Sequence, residues 1–165
     1  VMFAEDWGTQ DRLLINPETW RQLFKPHFKR FCDAAHSRGI KVFMHSCGYL
    51  YEILQDLLEV GIDVFQFDQQ QNYGIDALNE RCGGRGTFFS PVDIQHTLVT
   101  GDYDKIRREC FELVEKLGGH AGGFIACSYG GGKKSLDAIN CCVEWNDYAF
   151  DCFMEASRKV YGSSL

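Results

Sequence analysis

A chain of 165 residues that is 45% hydrophobic and 14% aromatic carries enough apolar side chain to bury a core, which excludes an intrinsically disordered segment. Its formal net charge of -6 arises from interspersed acids and bases, without the basic stripe that follows a phosphate backbone, so nucleic acid is not an expected partner. No run approaches the roughly 20 apolar residues of a membrane span, and no basic segment precedes an apolar one at the start. A cytoplasmic protein without membrane contact is expected.

The chain opens on a strand-like run, Val1 to Glu5, and this start inside a strand points to a fragment or to a skipped earlier segment. A helix follows: Asn16 suits the N-cap, Pro17 the first helical position and Glu18 the positive end of the dipole. Trp20, Leu23, Phe24, Phe28, Phe31 and Ala35 recur at helical spacing until Gly39, with a kink expected at Pro26. The next strand, Ile40 to His45, leads to a helix over Tyr49 to Val60 that Gly61 stops. Further strands are expected at Asp63 to Phe67, Gly86 to Ser90 and Gly123 to Cys127. Further helices are expected near Ile75 to Arg81, Tyr103 to Leu117 and Glu144 to Tyr161. Gly130 to Lys134 reads as a flexible loop; it lacks the spacing of a phosphate-binding loop.

Alternating strands and helices specify an α/β fold with about five parallel strands, organised as a single unit over residues 1–165. The pattern fits either an open doubly wound sheet or part of a closed barrel. A complete (β/α)8 barrel needs about 250 residues, so this chain could supply only half of one. Such a half would leave two sheet edges and an apolar interior to be covered by another chain, a second copy or a rearranged sheet.

In parallel architectures the chemistry gathers just past the C-terminal strand ends. Those positions here hold Glu5 and Asp6, His45-Ser46-Cys47, Asp68 and Gln69, Asp93 and Gln95, and Cys127-Ser128-Tyr129. Residues two apart on an extended segment share a face, so His45 and Cys47 can offer an imidazole and a thiolate to one zinc ion. They can equally be a hydrogen-bonded histidine and a packed thiol. Cys127 is the candidate third ligand or a buried strand cysteine, and Glu5 and Asp6 can add an oxygen ligand or orient the histidine. The eight cysteines lie mostly in helix and strand patterns, which argues for reduced core thiols rather than a disulfide scaffold. His27, His36, His96 and His120 show no evident partner in the sequence.

Several stretches together resemble the uroporphyrinogen decarboxylase superfamily: Glu5 to Gln10, Asn16 to Trp20, Phe24-Lys25-Pro26, Ala34-Ala35-His36, Lys41 to Gly48, and Asp93-Ile94-Gln95. The resemblance covers nearly the whole chain and implies the C-terminal half of a TIM-type (β/α)8 barrel. Within the superfamily, His-x-Cys is similar to the zinc site of the methylcobamide:coenzyme M methyltransferases. That likeness implies His45 and Cys47 as ligands, completed by a later cysteine whose nearest counterpart is Tyr129, with Cys127 two places earlier. It further implies a thiol activated on zinc, with methylcobamide as the methyl donor, either bound as substrate or carried on a corrinoid protein. The other partner would be a small-molecule methyl acceptor. Asp6, Gln10, Asp68, Asp93 and Tyr129 would line the pocket. Two other readings stay open. One is a metal-free carboxy-lyase resembling the decarboxylase itself; the other is a non-catalytic fragment that binds a partner, forms a homodimer or pairs with the family's N-terminal half.

Overall fold

The computed structural model describes residues 1–119, 122–130 and 132–162; His120 and Gly131 therefore lie outside the described residues. Five parallel strands form one sheet in sequential order: β1 (Met2–Ala4), β2 (Phe43–His45), β3 (Val64–Gln66), β4 (Thr87–Ser90) and β5 (Phe124–Ala126). All five strand expectations are met, with shorter ends. Helices separate them: α1 (Pro17–Leu23), α2 (Lys25–His36), α3 (Leu54–Val60), α4 (Ile75–Cys82) and α5 (Tyr103–Leu117), followed by α6 (Lys133–Ala138) and α7 (Val143–Tyr161). This is the arrangement of a partial TIM-type barrel.

The side chains alternate across the sheet as strand geometry requires. Met44, Phe65 and Phe88, in register with one another, have no exposed surface and form the face beneath the helices. Phe3 joins them, its ring 4.3 Å from Phe31 and 5.2 Å from Phe28. The opposite face carries Phe43 and Phe89, with ring centroids 6.4 Å apart. There Met2 and Ile125, on the two outer strands, are 53% and 43% exposed.

The single kinked helix expected from Pro17 onwards is instead two helices that part at Phe24. Pro26 has no N–H to donate and its ring would collide with the Gln22 carbonyl, so the helix ends two residues earlier, at Phe24, and Pro26 falls in the first turn of α2. Asn16 caps α1 as expected, its Oδ1 accepting from the N–H of Glu18 (2.9 Å) and Thr19 (3.3 Å). Trp20 anchors the pair: it is fully buried against the edge of Trp7 (6.1 Å) and beside Phe28 (5.6 Å), a burial worth about 2–3 kcal/mol. The helix expected from Tyr49 begins as a 3₁₀ turn at Tyr51–Ile53 before α3, and Gly61 stops it at φ +103. A second correction is α6, in a stretch read as loop, where the buried Leu136 provides the contact that the glycines concealed. No helix among the described residues is long and apolar enough to cross a membrane.

Candidate functional site

Two loops interlock at the C-terminal end of β1 and β2. The backbone N–H of Trp7 donates to Ser46 Oγ (3.1 Å), that of Cys47 to Asp6 Oδ1 (2.8 Å) and that of Tyr49 to the Thr9 carbonyl (2.7 Å). Between these bonds Gly8 and Gly48 meet backbone to backbone. A Cβ on Gly48 would lie 2.2 Å from the Gly8 carbonyl oxygen, and its φ is +80, so only glycine fits. The loop after β3 grips the same glycine: Gln69 Oε1 accepts from Gly48 N–H (2.9 Å), and the Tyr73 hydroxyl donates to its carbonyl.

This clasp brings Asp6, His45 and Cys47 together, one ligand atom from each lying within 4.8 Å of the others. His45 Nε2 is 3.5 Å from Cys47 Sγ and 3.8 Å from Asp6 Oδ1. The other ring nitrogen, Nδ1, meets Gln66 Oε1, and Gln66 Nε2 donates to Asp68 Oδ1 (2.5 Å). Burial, then the Asp6 and Asp68 carboxylates, push the Cys47 thiol up to about 11. No Lys or Arg is a hydrogen-bond partner of the three residues among those described. A carboxylate, an imidazole and a thiol that face each other without a counter-cation form a donor set that fits a divalent metal.

The remaining expectations divide. Cys127 and Glu5 are not in this three-residue group; Asp6, expected to line a pocket, is. Glu5 is exposed. Cys127 instead walls a neighbouring cavity of about 360 Å³ with Gln66, Asp68, Phe89, Ser128 and Tyr129. Burial, then Asp68, raise its thiol to about 12. Tyr129, held at its backbone by Asn146 of α7 (3.0 and 3.2 Å), has its phenol raised by burial, then by Asp68 and Cys47. Asp68 itself is raised by burial, which outweighs His45 and Gln66. Gln10 lies outside this cavity, its amide oxygen accepting from Asn72 (3.2 Å). Asp93 corrects a reading: it has no exposed surface and accepts from the N–H groups of Gln71 (2.9 Å), Gln95 (2.8 Å) and His96 (2.7 Å), so it organises a loop instead of lining a pocket.

Two histidines read as partnerless have partners, His96 with Asp93 (3.2 Å) and His36 with Asp63 (2.7 Å). The latter pair lies at the other end of the strands, beside a cleft of about 710 Å³. Gln66 was not anticipated. Its signals are that it ends a strand and stands two residues before Asp68; what the sequence cannot give is the register that sets it opposite His45.

A family model described as uroporphyrinogen decarboxylase (URO-D) matches residues 2–131, which include Asp6, His45, Cys47 and the cavity residues from Gln66 to Tyr129. No curated protein matches the chain. Among solved structures, a methyltransferase from Methanosarcina mazei superposes with a TM-score of 0.59 at 19% sequence identity. The match covers 97% of this chain and 42% of that one, so this chain spans less than half the length of its structural neighbour.

Proposed function

The chain belongs to the uroporphyrinogen decarboxylase family, and from that premise we propose that it forms part of a zinc-dependent, corrinoid-linked methyltransferase-like enzyme. The observation that carries the proposal is the convergence of Asp6, His45 and Cys47 within 4.8 Å at the C-terminal strand ends. Three protein ligands with room for a fourth is the pattern of a catalytic rather than a structural zinc. The Methanosarcina mazei neighbour, itself named a methyltransferase, supports methyl transfer as the chemistry.

A zinc ion in this site would lower the pKa of a thiol at its open position, supplying a thiolate to a methyl group carried by a corrinoid. The chain's own residues do the rest. The interlocked Gly8 and Gly48 hold Asp6 against Cys47, and burial keeps the Cys47 thiol protonated until a cation arrives. The cavity walled by Asp68, Cys127 and Tyr129 receives the small methyl acceptor, and the raised Tyr129 phenol stays a hydrogen-bond donor to it. Methylcobamide is then either a bound substrate or the cargo of a corrinoid protein. The walls missing from this side of the barrel come from a second copy or from the family's N-terminal half.

The test is the zinc content of protein purified without chelator, beside His45→Ala and Cys47→Ala. About one zinc per chain, lost in both variants with the fold retained, is the expected result. Full retention in both variants places the zinc elsewhere and overturns the proposal, whereas folded and reduced protein without zinc returns the reading to a metal-free carboxy-lyase or a non-catalytic fragment.

A further inference from the structure

We infer that Gln66, oriented by Asp68, is a positioning residue that holds the His45 imidazole in its Nδ1–H tautomer and keeps Nε2 bare towards Cys47 and Asp6. The inference deepens the metal-site reading above, and its first test is independent of that reading.

Parallel pairing sets His45 of β2 opposite Gln66 of β3, on the same face and one strand spacing apart. The amide meets ring Nδ1 through Oε1. A glutamine amide offers a donor at one end and an acceptor at the other, so its second partner decides which end faces the ring. That partner is Asp68, two residues further on and 8% exposed, whose Oδ1 lies 2.5 Å from Gln66 Nε2. The amide nitrogen faces the Asp68 oxygen as donor, which leaves the carbonyl oxygen, an acceptor only, to face the ring. The ring must therefore donate from Nδ1. A neutral imidazole has one N–H, which leaves the Nε2 lone pair free, 3.5 Å from Cys47 Sγ.

Asp6 cannot fill this role. It approaches the same ring at 3.8 Å, and on Nε2, the nitrogen that has to stay bare. Asp68 is held in turn by its backbone, which accepts from Ile94 N–H (3.0 Å). A relay from the loop after β3, through the β3 terminus, to the ring on β2 thus fixes a proton position that the His-x-Cys spacing alone leaves undetermined.

The first measurement is the ring ¹⁵N correlation spectrum of His45 in the metal-free full chain, at a pH where the imidazole is neutral. Wild type is expected to carry its proton on Nδ1. Gln66→Leu, which removes the acceptor at similar size, is expected to move the proton to Nε2. The paired change Gln66→Glu with Asp68→Asn rebuilds an acceptor for the ring and a donor for that acceptor, and is expected to restore Nδ1–H. A wild-type ring protonated on Nε2, or an unchanged tautomer in Gln66→Leu, would overturn the inference.

Cobalt(II) titration then reads the consequence. Affinity should fall about tenfold to a hundredfold in Gln66→Leu and recover in the paired variant. If wild type binds no cobalt yet its tautomer depends on Gln66, the metal-site reading fails and this inference stands. If cobalt binds and neither tautomer nor affinity depends on Gln66, the inference fails and the metal-site reading stands.

Discussion

The two ends of the sheet carry the same kinds of residue and use them in opposite ways. At the N-terminal end, His36 lies against Asp63 (2.7 Å), and that carboxylate also accepts from Lys41 Nζ (2.8 Å) and the Val42 N–H (2.8 Å). Its charge is matched within the chain, so the group works as a clasp tying α2 and the approach to β2 onto the head of β3. At the C-terminal end, His45 faces Asp6 and Cys47, and no lysine or arginine among the described residues bonds to any of them. The difference is the source of the counter-charge. A site that supplies its own needs no ligand, whereas the other leaves its counter-charge to the metal proposed above. The larger cleft, of about 710 Å³, lies at the end that needs none, so volume is a poor guide to chemistry here.

The largest effect that separates the two ends is a glycine substitution. Gly48→Ala drives a Cβ to within 2.2 Å of the Gly8 carbonyl at a positive φ, and should cost about 3 kcal/mol or more in denaturant unfolding while abolishing metal binding. Gly39→Ala, past the end of α2, has an equally unfavourable φ of +69 but meets nothing within 4 Å; about 1 kcal/mol is expected. Equal losses at the two positions would mean that backbone strain, and not the interlock of the two loops, explains Gly48.

Next in size is metal linkage. Zinc at a hundred times its dissociation constant should raise wild-type stability by about 2.7 kcal/mol, and this increment should vanish in Cys47→Ala. Asp63→Asn, which weakens the clasp at the other end, should lower the baseline by about 1–2 kcal/mol and leave the zinc increment whole. A zinc increment that disappears in Asp63→Asn would erase the distinction between the ends.

How far this contrast could be read in advance depends on the range of the interactions involved. Local signals worked: Asn16 caps α1, Gly61 stops α3, and the aromatic and β-branched runs mark five strands. His45 and Cys47 were legible because two residues on one strand end share a face by geometry alone. The break at Phe24 was half legible, since Pro26 announces a disturbance but leaves open whether the helix bends or ends. Register was not legible. Nothing in the sequence says that Gln66 stands opposite His45, that Gly8 lies on Gly48, or that Asp6 rather than Glu5 turns towards the thiol. Asp93 misled for a related reason: a carboxylate past a strand end suits a pocket, yet here the backbone N–H groups of its own and a neighbouring loop consume it.

The smallest effect is a difference of slope with pH, and its two halves have opposite sign. Burial pushes Asp63 up, but Lys41, the Val42 N–H and His36 more than reverse this, so its folded pKa lies below the ordinary carboxylate value. A depressed folded pKa gives stability that is present above the unfolded value of about 4 and is lost as pH falls through the folded pKa. Asp68 is the reverse case. Burial raises it beyond what His45 and Gln66 lower, so the folded protein holds that proton more tightly than the unfolded chain does. Its contribution is therefore present below about pH 4 and is lost as pH rises through the raised folded value. Unfolding free energies of metal-free protein, followed across the acid range to neutrality, should show Asp63→Asn weakest relative to wild type at neutral pH, with the deficit closing in acid. Asp68→Asn keeps an acceptor for Gln66 and should gain on wild type as pH rises. Two difference curves sloping the same way would show that the carboxylates at both ends are compensated alike, and the proposed site would lose the uncompensated charge that sets it apart.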